Sequence, residues 1–399
     1  MSVPDRRWMR STVCAALAVV VAFAAGACGS DRRNDVGEHA TAPGTETSRV
    51  DVDSPEAARI VEIVRGQVAE LNLSAAVFGV WHGDDEIVRG ALGGSPLGIS
   101  ATSDMRLRVG QPMEPMLSTV LLQLDKAGVV RLDEPIAKWV PDFPRADKIT
   151  PRMLANGTTG IADYVTDPEF LRRFYTNPIA GWTAQEIFEL ANSRPPLFEP
   201  GTSWAYAHSD LTLLGVVLEK ATGQALGDLL EQHVLDPLGM HHSAVVLTPQ
   251  IAEPILHGYT NERHVFEDST FWNPTAFLHS GNMNSTVADV AVWVRALGTG
   301  KLLSDTQFHE MMAASTAGLG PLTAQKFFAF GVVHFDDWLF MNPAFGGYNG
   351  VALYDTETKT TIVVYVTLGP RADANLNNAV PIGTAIGAVV VPDRPPHVS

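Results

Sequence analysis

The chain has 399 residues, enough for two domains or for one large domain with two lobes, and 46% of them are apolar, which excludes wholesale disorder. A formal net charge of −16 argues against a nucleic-acid partner and against electrostatic binding to anionic lipid. The two cysteines are Cys14 and Cys28, so no disulfide, thiol nucleophile or cysteine metal site is possible after residue 28.

Residues 1–28 are typical of a bacterial export signal. A basic start with three arginines precedes an apolar run from Ser11 to Ala25, which is too short to span a membrane. The small residues ending at Cys28 resemble a lipobox, in which the cysteine is lipidated and becomes the first residue. The alternative is ordinary signal-peptidase cleavage that leaves Cys28 in a tail.

The polar segment 29–54 is predicted to be a flexible tether. A folded domain is predicted for residues 55–392, with residues 393–399 as a tail. Its first helix begins after Ser54 and Pro55, a cap followed by a residue suited to the first helical turn.

A hairpin is predicted next, with strands over residues 75–81 and 86–91. The following segment, Arg108 to Glu114, leads into a helix whose apolar residues recur at helical spacing and predict one buried face. Gly128 is predicted to end this helix.

The middle of the chain is mostly helical and its end returns to strands. Helices are predicted over 183–190, 211–221, 226–234, 286–298 and 374–391, and strands over 328–335, 350–354 and 361–367. The fold class is therefore α/β, with an antiparallel sheet built from both chain ends, flanked by helices and carrying an inserted, mainly helical lobe.

Three stretches resemble the serine β-lactamase and D-alanyl-D-alanine peptidase family: Arg108 to Glu114, Leu154 to Ile161 and Glu199 to His208. The resemblance implies a β-lactamase/transpeptidase-like fold. It also implies a Ser-x-x-Lys motif, in which the serine is acylated and the lysine helps to activate it. Here Gln111 stands at the serine position and Glu114 at the lysine position.

The second family motif, Tyr-x-Asn, is represented by Tyr206 and His208. The resemblance implies that Tyr206 acts as a base or proton relay, although a packed aromatic with a satisfied hydroxyl fits equally well. For His208 we favour a polar residue that holds the loop of the motif. The family histidine of the earlier stretch is replaced by Gly157.

The third family motif, Lys-Thr-Gly or His-x-Gly on an edge strand, has two possible registers. Counting back from Gly347 without a gap gives residues 341–343, with Asn342 at the centre, and allowing a deletion gives residues 345–347. Neither register supplies a lysine or histidine, and Pro343 removes a backbone donor from that strand.

These substitutions predict a non-catalytic, lipid-anchored envelope protein that binds an unknown ligand or protein partner without a cofactor. The alternative is a working serine hydrolase with a relocated nucleophile, Ser118, Ser209 or Ser280, and Tyr206 or His208 as base. The histidines at 241, 242, 257 and 264 lack the spacing of metal ligands, so no metal is expected.

The charge at Glu114 also carries a prediction about the ligand. A carboxylate there would repel a ligand carboxylate and make the cleft prefer neutral or cationic groups. If Glu114 is instead buried without a partner, it is protonated and the repulsion vanishes.

Overall fold

The computed structural model describes residue 50 and residues 52–397. The predicted signal, Cys28 and nearly all of the predicted tether lie outside the described residues. The helices are α1 Pro55–Glu70, α2 Met113–Lys126, α3 Pro151–Asn156, α4 Pro168–Thr176, α5 Ala184–Asn192, α6 His208–Thr222, α7 Leu226–Leu230, α8 Asp236–Leu238, α9 Val287–Thr299, α10 Asp305–Met311 and α11 Ala379–Val390.

The strands of the main sheet come from both ends of the described chain, as the sequence predicts, and shorter strands lie between them. They are β1 Leu73–His82, β2 Asp85–Gly93, β3 Leu107–Arg108, β4 Ala244–Val245, β5 Tyr259–Thr260, β6 Glu267–Asp268, β7 Met283–Ser285, β8 Lys326–Phe328, β9 Val333–Phe335, β10 Trp338–Met341, β11 Ala344–Phe345, β12 Tyr348–Asp355 and β13 Thr360–Leu368.

The main sheet is antiparallel and runs in the order β2-β1-β13-β12-β10-β9-β8, with β11 paired to β12. Strand β13 lies between β1 and β12, and every one of its residues is buried. Its continuous apolar sequence reflects a strand that is covered on both faces. The α/β class and the antiparallel sheet are confirmed.

The two faces of the sheet contribute to two separate hydrophobic cores. Along β1, Phe78 packs into the core that contains Ile60 of α1 and Ile382 of α11. The neighbouring residue Val77 points the other way, into the core that contains Trp293 of α9 and the helical lobe. Successive strand residues alternate between faces, so one strand serves both cores.

Helix α1 begins and helix α2 ends as their sequences predict. The hydroxyl of Ser54 caps α1 by accepting the Ala57 N–H at 3.1 Å. Gly128 adopts a left-handed conformation with φ of 74° after the last turn of α2. Helix α2 is, however, buried on almost every side, rather than on the one apolar face that its periodicity indicates.

Two predicted elements near the C-terminus are wrong in detail. The segment 328–335 is two strands, β8 and β9, because Gly331 turns the chain at φ of 83°. A Cβ at Gly331 would lie 2.7 Å from the Glu114 carbonyl carbon, so this turn packs directly on the start of α2. The closing helix begins at Ala379 rather than at Ala374, and strand β10 was not predicted.

Within the described residues, no helix combines the length and the apolar character that crossing a membrane requires.

Candidate functional site

The degenerate first motif lies where the start of α2 meets the connection between β10 and β11. Gly110 has φ of 63°, and a Cβ there would lie 2.8 Å from Cβ of Pro343. The Gln111 Oε1 atom accepts the backbone N–H of Asn342 at 2.8 Å. The structure therefore brings Gln111 next to residues 341–343, whereas residues 345–347 continue through β11 into the turn before β12.

Glu114 lies in the first turn of α2 and is completely buried, at 0% exposure. Its Oε1 accepts a hydrogen bond from the hydroxyl of Tyr206, and its Oε2 has no partner among the described residues. Burial raises the pKa of Glu114 to about 8, although nearby His208 and the hydrogen bond from Tyr206 act in the opposite direction. Glu114 is therefore mainly protonated at pH 7.

The raised pKa of Glu114 favours the second of the two alternatives that the sequence left open, a protonated side chain that does not repel a ligand carboxylate. A neutral acid contributes no Coulomb repulsion, and the side chain has no exposed surface from which to contact a ligand. Glu114 is buried, although it keeps one partner in Tyr206, and burial removes the solvation that its charged form would need.

Tyr206 links Glu114 to two further polar side chains, those of His208 and Asp163. Its hydroxyl lies 3.4 Å from Nε2 of His208, and Nδ1 of His208 lies 3.2 Å from Oδ2 of Asp163. Asp163 Oδ1 also accepts the backbone N–H of His208 at 3.2 Å. The result is a continuous series, Asp163–His208–Tyr206–Glu114, that ends beneath Gln111.

The members of this series have perturbed proton affinities. Burial, together with the charge of Glu114, raises the pKa of Tyr206 well above its ordinary value, so it is a neutral hydrogen-bond donor. Burial lowers the pKa of His208, but the charge of Asp163 and its hydrogen bond to His208 act in the opposite direction, and the pKa is raised overall. His208 is joined to Asp163 by contacts of its ring nitrogen and of its backbone N–H.

Sequence reasoning missed Asp163. Its Oδ1 also accepts the Val165 N–H at 3.2 Å. An aspartate that caps the backbone two residues later is common in turns, so the sequence around Asp163 suggests only this local role. The second role of Asp163, its contact with the ring of His208, joins residues 45 positions apart and is visible only in the structure.

The structure gives a physical reason for a glycine at position 157, where the resemblance implies a histidine in the family. It ends α3 in a left-handed conformation with φ of 74°. A Cβ at this residue would lie 2.9 Å from Nε1 of Trp204, which fills the space beside it. A larger side chain would require Trp204 to move.

The three alternative serine nucleophiles are all buried away from any cleft. Ser118 donates to the Glu114 carbonyl in its own helix, and Ser209 donates to the Ala162 carbonyl at 2.7 Å. Ser280 is buried and its hydroxyl has no partner among the described residues. In the described part of the chain, none of the three hydroxyls is hydrogen-bonded to the side chain of Tyr206 or His208.

The four histidines considered as metal ligands are dispersed. His242 Nδ1 lies 2.7 Å from a guanidinium nitrogen of Arg106, and His257 Nδ1 lies 2.8 Å from Oδ2 of Asp268. Over residue 50 and residues 52–397, no group of three or more His, Cys, Asp or Glu side chains could hold a metal ion.

The chain is similar in sequence to penicillin-binding proteins from two bacteria. Over 156 residues the chain is 27% identical to penicillin-binding protein 4* of Bacillus subtilis, covering 38% of this chain and 34% of that protein. Over 272 residues it is 27% identical to penicillin-binding protein 4 of Amycolatopsis lactamdurans, covering 65% of each. In both cases the match spans less than two thirds of the relative's length.

Among solved structures, the chain is similar to a D-stereospecific amidohydrolase from a Streptomyces species. The TM-score is 0.70 at 26% identity, covering 82% of this chain and 98% of that one. The family model described as Beta-lactamase matches residues 60–382. That match takes in most of both cores and residues 111, 114, 163, 206, 208 and 342 of the site, and the chain therefore belongs to the Beta-lactamase family.

Proposed function

We propose that this protein is a non-catalytic member of its family that binds a ligand or partner instead of cleaving one. The observation that carries the proposal is the state of the first motif. The positions of the nucleophile and its activating base hold Gln111 and Glu114, and each is hydrogen-bonded within the protein, to Asn342 and Tyr206 respectively.

The chemistry of these groups supports the proposal. A carboxamide has no nucleophilic oxygen comparable to a serine hydroxyl, and a protonated carboxyl cannot accept a proton. Tyr206 donates a hydrogen bond to Glu114, and its raised pKa keeps the hydroxyl protonated at neutral pH, so no phenolate is present to act as a base. The remaining candidate serines are buried, so a substrate carbonyl could reach none of them without rearrangement.

The test is covalent labelling of the purified protein with a fluorescent penicillin and with a fluorophosphonate. We expect no adduct in the intact mass, while an active penicillin-binding protein treated in parallel is labelled. An adduct that maps to Ser118, Ser209 or Ser280 would contradict the proposal and support the relocated nucleophile.

We further propose that the protein is exported and anchored by lipid on Cys28 to the outer face of the cell membrane, where its ligand or partner belongs to the envelope. The basic start, the apolar run and the small residues before Cys28 support this. A single acyl chain binds membranes only marginally, so anchoring requires more than one chain or a second contact.

Replacing Cys28 by Ala should move the protein from the membrane fraction to the soluble fraction after cell lysis. Cys14 is the matched control because it lies within the apolar run, and Cys14→Ala should leave the protein in the membrane fraction. Membrane association that persists in the Cys28→Ala form would count against the anchor.

A further inference from the structure

A cavity of about 820 Å³ opens beside the degenerate site, between α4, β11 and the connection from β13 to α11. Asn342 lines this cavity, whereas Gln111, Glu114 and Tyr206 do not. Its volume lies in the range of small-molecule sites. A ligand could therefore occupy it independently of the lost catalytic pair.

One wall of the cavity is a cluster of four phenylalanine rings. Phe170 and Phe174, both buried, stack with their centroids 5.6 Å apart and an interplanar angle of 9°. Phe277 and Phe345 meet edge to face at 5.2 Å and remain partly exposed. Because the rings support one another, this wall is formed before any ligand arrives and favours a flat, apolar group.

Two carboxamides supply polar contacts next to this wall. The side-chain amide of Asn342 makes no hydrogen bond with another described residue. Asn349 is buried; its Oδ1 accepts two hydrogen bonds from Asn378, while its Nδ2 has no described partner. Together they offer donors and an acceptor of the kind that an amide group on a ligand would match.

The charges around the cavity disfavour an anionic ligand. No lysine or arginine is among the described residues that line it; its carboxyl groups are Glu262 and Asp373, and its one histidine is His264. Glu262 accepts hydrogen bonds from Tyr175 and Thr260, both at 3.0 Å, and burial raises its pKa. Asp373 is exposed at the rim, where a ligand carboxylate would meet a like charge.

We propose that this cavity binds a small molecule that carries an aromatic ring and a neutral carboxamide, and that it discriminates against the corresponding carboxylate. This inference rests on the proposed function, because it names the ligand class of a protein that binds without cleaving. The ring would pack against the phenylalanine wall, and the carboxamide would bond to Asn342 and Asn349.

Calorimetric titration of the full-length protein with three probes tests the proposal. N-acetyl-phenylalaninamide should bind at least about tenfold more tightly than N-acetyl-phenylalanine, in which a carboxylate replaces the terminal carboxamide. It should also bind at least about tenfold more tightly than N-acetyl-alaninamide, which lacks the ring; a tenfold ratio is about 1.4 kcal/mol. Absent binding, or a free acid that binds as tightly as the amide, would overturn the inference. Hydrolysis of the recovered amide would instead contradict the proposed function.

Variants locate the binding. Phe345→Ala should weaken binding of the aromatic amide about tenfold or more, since Phe345 forms part of the wall. Phe271→Ala is the matched control because Phe271 is exposed and lies outside the cavity, and its affinity should not change. Should Phe345→Ala fail to fold, Asn342→Ala serves as the second variant. In that variant, the ratio of the affinity for the amide to the affinity for the acid should be smaller than in the parent protein. An equal loss in Phe271→Ala, or unchanged preference in Asn342→Ala, would refute the assignment.

Discussion

Replacing Glu114 by Gln is expected to make the protein more stable at alkaline pH and to change its stability little near pH 4. In the folded state burial raises the pKa of Glu114 from 4.5 to about 8. The folded protein therefore holds a proton that the unfolded chain releases over this interval. The stability that the protonated carboxyl provides is complete below about pH 4.5 and is lost as the pH rises towards 8.

The size of the stability change follows from the difference between the pKa values of Glu114 in the unfolded and folded states. One pKa unit corresponds to about 1.4 kcal/mol, so the shift from 4.5 to about 8 amounts to about 5 kcal/mol. Glutamine does not titrate and can still accept the Tyr206 hydroxyl. The difference in unfolding free energy between Glu114→Gln and the parent protein should therefore grow by about this amount between pH 4 and pH 9.

Urea unfolding of both proteins across this pH range measures the difference directly. A difference that stays constant with pH would show that Glu114 does not titrate in the folded state as argued. Tyr206→Phe is an informative companion, because its hydrogen bond lowers the pKa of Glu114. Without it, the loss of stability should extend to higher pH.

Restoring the serine alone, in Gln111→Ser, is expected to produce neither acylation nor turnover at pH 7. The new hydroxyl would stand one turn from a protonated carboxyl that cannot take its proton. The lysine and the third motif would also be absent, and catalytic groups that act as a unit fail together. Gln111→Ala is the matched control.

Intact-mass analysis after incubation with penicillin should show no adduct on either Gln111 variant. A serine-specific adduct, present in Gln111→Ser and absent in Gln111→Ala, would mean that the remaining residues still support acylation. The added change Glu114→Lys is not expected to help. It would place an ammonium at a fully buried position near His208, at a cost of roughly 3 kcal/mol or more in stability.

The sequence by itself determined the fold class and the absence of any Ser-x-x-Lys run. Helix caps such as Ser54, the end of α2 at Gly128 and the strand periods at both chain ends are local signals, because each depends on residues a few positions apart. The replacement at Gln111 is likewise visible without coordinates. No lysine in the chain has a serine three residues before it.

Tertiary structure alone decided the charge state and the connections of the site. Whether Glu114 is ionised depends on its burial, to which the turn at Gly331 contributes from more than 200 residues away. The contact between Asp163 and His208 and the phenylalanine wall arise in the same way, from segments that are distant in the chain. Proton affinity is set by solvation and by neighbours in space, and these do not follow from spacing along the chain.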